Sequence, residues 1–242
     1  MPTETASGAA GTGLPNALRD KMAIALDVDD LVKANRLARE VAPWFGVAKI
    51  GLELYTAAGP DAIGAMIDLG YDVFLDLKLH DIPTTVSKAS NVAGALGVRY
   101  LTMHAHGGIT MLRSGVEGLL DGARRAGLPD PVALGITVLT SDEDAPAHIV
   151  PNRLRVAVEA GCGGIVCAAT DLADIRTLAP RTMRVVPGIR AAGSERHDQP
   201  KAVTPGQALD AGADLLVIGR AVTLASDPAA AASQLFADLA HR

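Results

Sequence analysis

Short apolar runs recur along this chain at a spacing of about 25 to 30 residues, and segments with helical periodicity fill the intervals between them. The eight runs cover residues 22–29, 45–54, 72–81, 98–107, 131–140, 162–169, 183–189 and 213–221. Helical spacing is clearest at residues 31–42, 84–97, 109–127 and 205–212, and several of these segments end in Gly, as helices often do. Eight successive strand–helix units predict an α/β protein with a single-domain (β/α)8 TIM barrel.

The same pattern sets the limits of the predicted barrel. Residues 1–20 are polar and lack the basic and apolar segments of a signal peptide, so they predict a flexible N-terminal tail ahead of a barrel domain over residues 21–242. No apolar run approaches the roughly 18 residues of a membrane span, and the protein is expected to be soluble and cytoplasmic. The alternative architecture is a doubly wound open sheet. That fold normally has fewer strands, and the G-x-G-x-x-G motif typical of it does not follow the first run.

The composition of the chain limits the kinds of molecule that it is expected to bind. The formal net charge is −5, aromatic residues make up 3% of the chain, and no long Lys/Arg cluster occurs, which argues against a surface for nucleic acid. In extended chain Cys162 and Cys167 are about 16 Å apart on opposite faces, so we expect neither a disulfide nor a shared metal. Lys49 and Lys78 lie inside apolar runs. This placement needs a reason, because burial of an unpaired charge is costly.

Polar side chains gather at the carboxyl ends of the predicted strands, where TIM barrels have their active sites. They are Asp27, Lys49, Asp76, Lys78, His104, Thr140, Arg190 and Arg220. One alternative is a buried ion pair that only closes the barrel mouth, but buried pairs contribute little to stability. The first four residues of this set bring two carboxylates and two ammonium groups to one barrel end, which favours a reaction centre.

The stretch FLDLKLHDIPTTV, residues 74–86, carries the densest group of charges. Asp76 and Lys78 are two residues apart, so strand alternation puts them on one side, about 7 Å apart along the chain and close enough for their side chains to meet. Asp81 has the opposite parity and precedes Ile82 and Pro83, which predict the end of the strand and the start of a helix. We therefore expect the Asp81 carboxylate to leave the interior of its own barrel.

A phosphate site is predicted at the seventh and eighth strand ends, where TIM barrels often bind phosphate. Gly219 would let an anion approach backbone N–H groups, and the Arg220 guanidinium would add charge-assisted hydrogen bonds. Arg190 follows the seventh run and opens a polar stretch, residues 191–203, which is interpreted as a lid over the phosphate. Solvated surface arginines are the alternative interpretation.

The histidines point less clearly to function. His104 and His106 would share one strand face and could ligate a metal together, but no third ligand is evident and no metal site is predicted. The others are interpreted as structural or surface residues: His80, His148, His197 and His241.

The chain after the tail resembles the orotidine 5'-phosphate decarboxylase family over nearly its whole length. The matching segments are residues 25–27, 48–54, 74–86, 136–141, 186–190, 193–199 and 217–223. The D-x-K-x-x-D-I-P element, followed in order by PGIR and IGR, is specific, and Thr84 is a small departure because many relatives have Asn there. The resemblance implies conversion of orotidine 5'-monophosphate to UMP and carbon dioxide, the last step of de novo pyrimidine biosynthesis, without metal or cofactor.

The resemblance also implies roles for individual residues. Lys78 is the implied proton donor to carbon 6 of the pyrimidine and Asp76 lies against the departing carboxylate; Lys49 and Asp81 complete the implied catalytic set. Asp81 and Thr85 are implied to reach the substrate ribose of the neighbouring subunit, so a homodimer is expected. The remaining implied contacts are Asp27 and Lys49 for the ribose hydroxyls, Thr140 for the base, and Arg190, Gln199, Gly219 and Arg220 for the phosphate.

Two other functions are consistent with the fold. Metal-dependent sugar-phosphate enzymes of the same superfamily, such as ketogulonate phosphate decarboxylases and hexulose phosphate synthases, share the D-x-K-x-x-D element. They place a metal-binding Glu where this chain has Lys49, and a lysine there repels Mg²⁺. A non-catalytic barrel that binds a nucleotide phosphate and regulates a partner is the second alternative, but it has no need for Asp76 and Lys78 together.

Overall fold

The strands of this protein close into a barrel in sequence order, with β1 paired to both β2 and β8. The computed structural model describes residues 13–139, 146, 148–190, 203–237 and 239. The parallel strands are β1 (Met22–Ala25), β2 (Val47–Ile50), β3 (Asp72–Leu79), β4 (Tyr100–His104), β5 (Val132–Ile136), β6 (Gly164–Val166), β7 (Met183–Val186) and β8 (Leu215–Ile218). Each of the eight predicted runs contains one strand, so the predicted (β/α)8 TIM barrel is confirmed.

Helices lie between successive strands and cover the outside of the barrel. They are α1 (Asn16–Arg19), α2 (Leu31–Val41), α3 (Leu52–Ala58), α4 (Pro60–Asp68), α5 (Pro83–Ala95), α6 (Gly108–Arg125), α7 (Ile149–Glu159), α8 (Leu172–Leu178), α9 (Pro205–Asp210), α10 (Arg220–Thr223) and α11 (Pro228–Leu235). Short 3₁₀ turns occupy Ala105–Gly107 and Ala169–Asp171. None of the helices in the described part of the chain has the length and apolar content that a bilayer crossing needs.

Local sequence explains where several helices begin. The Asp30 side chain accepts a hydrogen bond from Lys33 N at 2.8 Å and caps α2, and Asp227 caps α11 in the same way. Thr204 and Gln207 form a reciprocal capping box at the start of α9. Pro occupies the first helical position of α4, α5, α9 and α11, where its missing N–H has no intrahelical partner to lose.

Strand alternation divides the core into two layers. Side chains of one parity pack between the sheet and the helices, whereas those of the other parity fill the barrel interior. The interior cluster consists of Ala23, Ala25, Val47, Phe74, Tyr100, Leu134, Val185, Leu215 and Val217. Because this interior is packed with side chains, a ligand can enter only at the barrel mouth.

The segment before β1 is bound to the barrel, in contrast to the flexible tail predicted for residues 1–20. Leu14 is buried and its N–H donates to the Pro43 carbonyl, and α1 follows directly. The Arg19 carbonyl accepts a hydrogen bond from Gly46 N at 2.8 Å, which ties the end of α1 to the start of β2. Nothing in the sequence signals this contact, because a single buried leucine in a polar stretch produces no periodic pattern. Residues 1–12 lie outside the described residues.

Helices α5 and α6 pack at unusually close range, because glycines replace side chains at their contact. A methyl group on Gly118 would overlap the carbonyl of Ser87, and one on Gly122 would overlap the carbonyl of Asn91. Asn91 Nδ2 also donates to the Gly118 carbonyl across the contact, at 3.2 Å. The position of α5, and of the residues just before it, therefore depends on the backbone of α6.

We expect Gly118→Ala to lower the free energy of unfolding by about 1 to 3 kcal/mol, because the added methyl group forces the two helix backbones apart. Gly64→Ala is the matched control: Gly64 lies in the interior of α4 with open space around it. There the same change should raise stability by about 0.5 to 1 kcal/mol through helix propensity. Urea denaturation followed by circular dichroism measures both, and equal effects at the two positions would contradict the proposed clash.

Candidate active site

A cavity of about 300 Å³ opens at the carboxyl end of the barrel, floored by the interior residues Ala25, Phe74 and Val217. The polarity of the cavity wall differs from one part of the ring of strands to another. The ends of β1, β2 and β3 contribute charged side chains, β5 and β6 contribute apolar ones, and the segments after β7 and β8 contribute two arginines. In that order, these residues are Asp27, Lys49, Asp76 and Lys78; Ile136, Val138, Leu139, Val166 and Cys167; and Arg190 and Arg220. The apolar wall suits a flat ring, and the arginines suit an anion.

The four predicted charges form a chain of alternating sign across three neighbouring strand ends. Lys49 Nζ lies 3.0 Å from Asp27 Oδ1 and 3.6 Å from Asp76 Oδ2. Lys78 Nζ donates to the same Asp76 oxygen at 2.8 Å. The predicted meeting of Asp76 and Lys78 is therefore present, and Asp76 lies between two ammonium groups.

Asp76 is ionised in this setting although little of it is exposed. Its side chain is 12% accessible, and that of Lys49 is 11% accessible. Burial by itself would raise the pKa of Asp76. The charges of Lys49 and Lys78, with hydrogen bonds from Lys78 and Thr102, outweigh burial and hold the pKa below the usual value of 3.8. A carboxylate is thus fixed beside an ammonium group at the edge of the cavity.

The space beside the ion pair of Asp27 and Lys49 depends on Gly51, the residue that follows β2. A methyl group at this position would lie 2.9 Å from Asp27 Oδ1 and 3.3 Å from Lys49 Nζ. A larger residue would displace the ends of both charged side chains. The match of residues 48–54 to the family pattern includes this glycine, although it was not predicted to have a role.

β3 does not follow the regular strand geometry on which the parity argument for Asp76 and Lys78 was based. Its register with β4 shifts between Leu75 and Leu79. Lys78 has φ +50°, which makes it the one non-glycine residue with positive φ in the described part of the chain. The two charges thus meet within a distorted segment, and a left-handed lysine is strained.

Thr102, on β4, was not among the predicted site residues. It is fully buried, its Oγ1 accepts a hydrogen bond from Lys78 N at 2.9 Å, and it donates to Asp76 Oδ1 at 2.9 Å. Sequence reasoning missed Thr102 because an uncharged threonine in an apolar run is usually a packing residue. The available signal was its parity, since it is two residues from the interior residue Tyr100 and therefore points into the barrel.

The structure describes three of the four residues that were predicted to bind the phosphate. Arg190, Gly219 and Arg220 line the same end of the cavity, and α10 begins at Arg220. Arg190 N donates to the Val203 carbonyl at 3.1 Å, so the two ends of the predicted lid meet. Residues 191–202, which include Gln199, lie outside the described residues, as does Thr140.

Asp81 and Thr85 do not line the cavity of their own barrel. Both are exposed, and Asp81 Oδ1 accepts a hydrogen bond from Ile82 N at 2.6 Å. Ile82, between them, is 66% exposed, which is unusual for a large apolar side chain next to a site. The exposed position of Asp81 agrees with the prediction that its carboxylate lies outside the interior of its own barrel.

The histidines differ in detail from the prediction. His104 and His106 do not share a strand face, because β4 ends at His104 and His106 lies in the following 3₁₀ turn. The ring of His80 lies near both, with centroid distances of 5.8 Å to His104 and 5.6 Å to His106. Burial, and then the positive charges around it, lower the pKa of His104. Among the described residues, no three His, Cys, Asp or Glu side chains are grouped closely enough to hold a metal.

The two cysteines are free and buried, as predicted. Burial raises the pKa of Cys162 and of Cys167 to about 12, so neither thiol is a nucleophile near neutral pH. Cys167 contributes to the apolar wall of the cavity only by its bulk.

Comparisons with known proteins point to one protein family. The family model described as "Orotidine 5'-phosphate decarboxylase / HUMPS family" matches residues 20–235. An orotidine 5'-phosphate decarboxylase of Anaeromyxobacter sp. (strain K) is 43% identical over 231 residues, covering 91% of this chain and 98% of the relative. One from Moorella thermoacetica is 40% identical over 233 residues, covering 91% and 92%. The crystal structure of orotidine 5'-phosphate decarboxylase from Lactobacillus acidophilus superposes with a TM-score of 0.74 at 31% identity, covering 90% of this chain and 97% of that one. The chain therefore belongs to the orotidine 5'-phosphate decarboxylase / HUMPS family.

Proposed function

We propose that this protein decarboxylates orotidine 5'-monophosphate to UMP in de novo pyrimidine biosynthesis, in the cytoplasm and without metal or cofactor. The observation that carries the proposal is the alternating chain of Asp27, Lys49, Asp76 and Lys78 at the mouth of a cavity with an apolar wall and two arginines. This site can hold a flat base, a ribose and a phosphate at once. The Lys78 ammonium group lines the same cavity and is the proposed proton donor.

Lys78 supplies what the reaction needs most. When the bond between carbon 6 and the carboxylate breaks, carbon dioxide leaves and the electron pair stays on carbon 6, in an sp² orbital that the ring cannot delocalise. A fixed ammonium group beside that carbon stabilises the developing charge. The same group can then transfer a proton to carbon 6, which yields UMP and a neutral lysine.

Asp76 acts on both the lysine and the substrate. Its carboxylate lies 2.8 Å from Lys78 Nζ and holds the ammonium group in place through a charge-assisted hydrogen bond. When substrate is bound, Asp76 also lies against the substrate carboxylate. Repulsion between these two negative charges is relieved as carbon dioxide departs, so it favours the forward reaction.

Parts of the site remote from the reacting carbon provide the binding energy. Asp27, Lys49, Arg190, Gly219 and Arg220 all line the cavity; the proposed roles are the ribose hydroxyls for the first two and the phosphate for the other three. Thr140 and Gln199 are proposed to contact the base and the phosphate by resemblance alone. Interactions with the phosphate and ribose do not change as the bond breaks, and they serve to hold carbon 6 against Lys78.

A homodimer would complete each site. Asp81 and Thr85 are exposed beside the exposed Ile82, and neither lines the cavity of its own barrel. Burial of Ile82 against a second copy would remove apolar surface from water. It would also bring Asp81 of one subunit toward the ribose and Lys78 of the other, where it would add a second carboxylate beside the ammonium group.

The position of Lys49 supports a metal-free reaction over the chemistry of the metal-dependent relatives. Its ammonium group lies between the carboxylates of Asp27 and Asp76, at 3.0 and 3.6 Å. These are the oxygens that would otherwise coordinate a divalent cation. Because Lys49 already supplies the positive charge at this point, a second cation would be repelled. A regulatory barrel without activity would not need this arrangement.

We expect Lys78→Ala to abolish turnover while UMP still binds, because the variant loses the proton donor but keeps the phosphate and ribose contacts. Loss of ultraviolet absorbance from orotidine 5'-monophosphate measures turnover, and titration calorimetry measures the affinity for UMP. Turnover by Lys78→Ala at the wild-type rate would refute the assigned role.

The control for this experiment is the wild-type protein in the same buffer, with EDTA present throughout. Full activity in EDTA is expected. Activity that EDTA removes and Mg²⁺ restores would instead place this chain with the metal-dependent relatives.

A heterodimer tests the shared site. If Lys78 and Asp81 of one site come from different subunits, pairing Lys78→Ala with Asp81→Ala leaves one site intact and one doubly defective. Two affinity tags allow this heterodimer to be purified after co-expression, and about half the activity of the wild-type dimer is expected. Both homodimers of the variants should be inactive. If Asp81 served its own barrel, each site of the heterodimer would lack one residue and it too would be inactive.

A further inference from the structure

The segment that carries Asp76 and Lys78 leaves the regular sheet. β3 pairs with β4 at Leu75 and Leu101, and pairing resumes at Leu79 and Met103. Residues 76–78 of β3 therefore face a single residue of β4, Thr102. Regular ladder hydrogen bonds cannot hold this segment, and the left-handed backbone of Lys78 adds strain, so something else must fix its conformation.

The hydroxyl of Thr102 provides that connection. Lys78 N can only donate and the carboxylate of Asp76 can only accept, so the direction of both hydrogen bonds is determined. Thr102 Oγ1 accepts from Lys78 N at 2.9 Å and donates its single proton to Asp76 Oδ1 at 2.9 Å. One oxygen atom thus holds the backbone of the lysine and the side chain of the aspartate.

These two hydrogen bonds also determine how Asp76 faces the lysines. With Oδ1 occupied by Thr102, Oδ2 is the oxygen that meets Lys78 Nζ at 2.8 Å and Lys49 Nζ at 3.6 Å. Thr102 has no exposed surface, so solvent does not reach the hydroxyl from outside. A side chain without a hydroxyl would leave the Lys78 N–H unsatisfied and the carboxylate free to rotate.

We propose that Thr102 is a positioning residue for decarboxylation, which holds the Lys78 ammonium and the Asp76 carboxylate in their reactive arrangement through one hydroxyl group. This inference rests on the proposed role of Lys78. It differs from a merely structural role for a buried threonine. A structural role would affect stability alone, whereas positioning affects the chemical step and the ionisation of Asp76.

The test compares Thr102→Val, which removes the hydroxyl at constant shape, with Thr102→Ser, which keeps it. We expect kcat of Thr102→Val to fall by about 10- to 100-fold, while KM and the affinity for UMP stay within about 3-fold of wild type. Thr102→Ser should retain kcat within about 3-fold of wild type. Loss of a donor to the charged form raises the pKa of Asp76, so the acid limb of the kcat/KM profile should move to higher pH in Thr102→Val.

Thr182→Val is the matched control, because Thr182 is buried just before β7, at the opposite end of the barrel. It should leave kcat and the acid limb unchanged, whatever its effect on melting temperature. If Thr102→Val does not fold, Thr102→Ala replaces it with the same expected loss of kcat. The proposal is overturned by a wild-type kcat in the folded variant, by an unmoved acid limb, or by a KM that rises as much as kcat falls. If the wild-type protein does not act on orotidine 5'-monophosphate, the proposed function is refuted, and the proposed role of Thr102 is refuted with it.

Discussion

The carboxylate of Asp76 is shared by two ammonium groups, and the arrangement of the site follows from this sharing. Lys49 and Lys78 both lie within 3.6 Å of its Oδ2 atom, and Lys49 is buried enough that an unpaired charge there would be costly. Asp27 neutralises the far side of Lys49, so two negative and two positive charges balance across three strand ends. The net charge of this group is zero, yet an ammonium group lies at its end, next to the cavity. A neutral cluster with a charged end can be built into a protein interior far more easily than one isolated lysine.

The barrel makes this arrangement possible because every strand runs in the same direction. Parallel strands β1, β2 and β3 are neighbours in the sheet, and their carboxyl ends reach the same face. Side chains that are 22 and 27 residues apart in sequence, such as Asp27 with Lys49 and Lys49 with Asp76, therefore meet within a few ångströms. The strand ends from β5 to β8 supply apolar side chains and two arginines instead. Charge and apolar surface are separated by position around the barrel, and this separation orients a ligand that has both a flat ring and an anion.

Much of the fold and site could be predicted from the sequence, because the signals were local or repeated. All eight strands, the contact of Asp76 with Lys78, and the free buried cysteines followed from periodicity, spacing and burial costs. Three of the errors have a common cause. Parity assumes regular strands, and it therefore missed the shift in β3, the left-handed Lys78 and the end of β4 at His104. Leu14 is buried through tertiary contacts that leave no periodic trace in the sequence, whereas Thr102 had a parity signal that the prediction did not use. The assigned roles of all the site residues are predictions, and Thr140 and Gln199 also lie outside the described residues.

The left-handed backbone at Lys78 has a consequence for how this chain can change. A residue with positive φ is the usual place where glycine or asparagine improves stability, because those residues adopt that conformation at least cost. Here the same replacement removes the ammonium group from the site. Selection for a more robust fold and selection for turnover therefore favour different residues at one position. Added stability in this protein has to arise elsewhere, for instance on the outer helices, while the mouth of the barrel keeps its local strain.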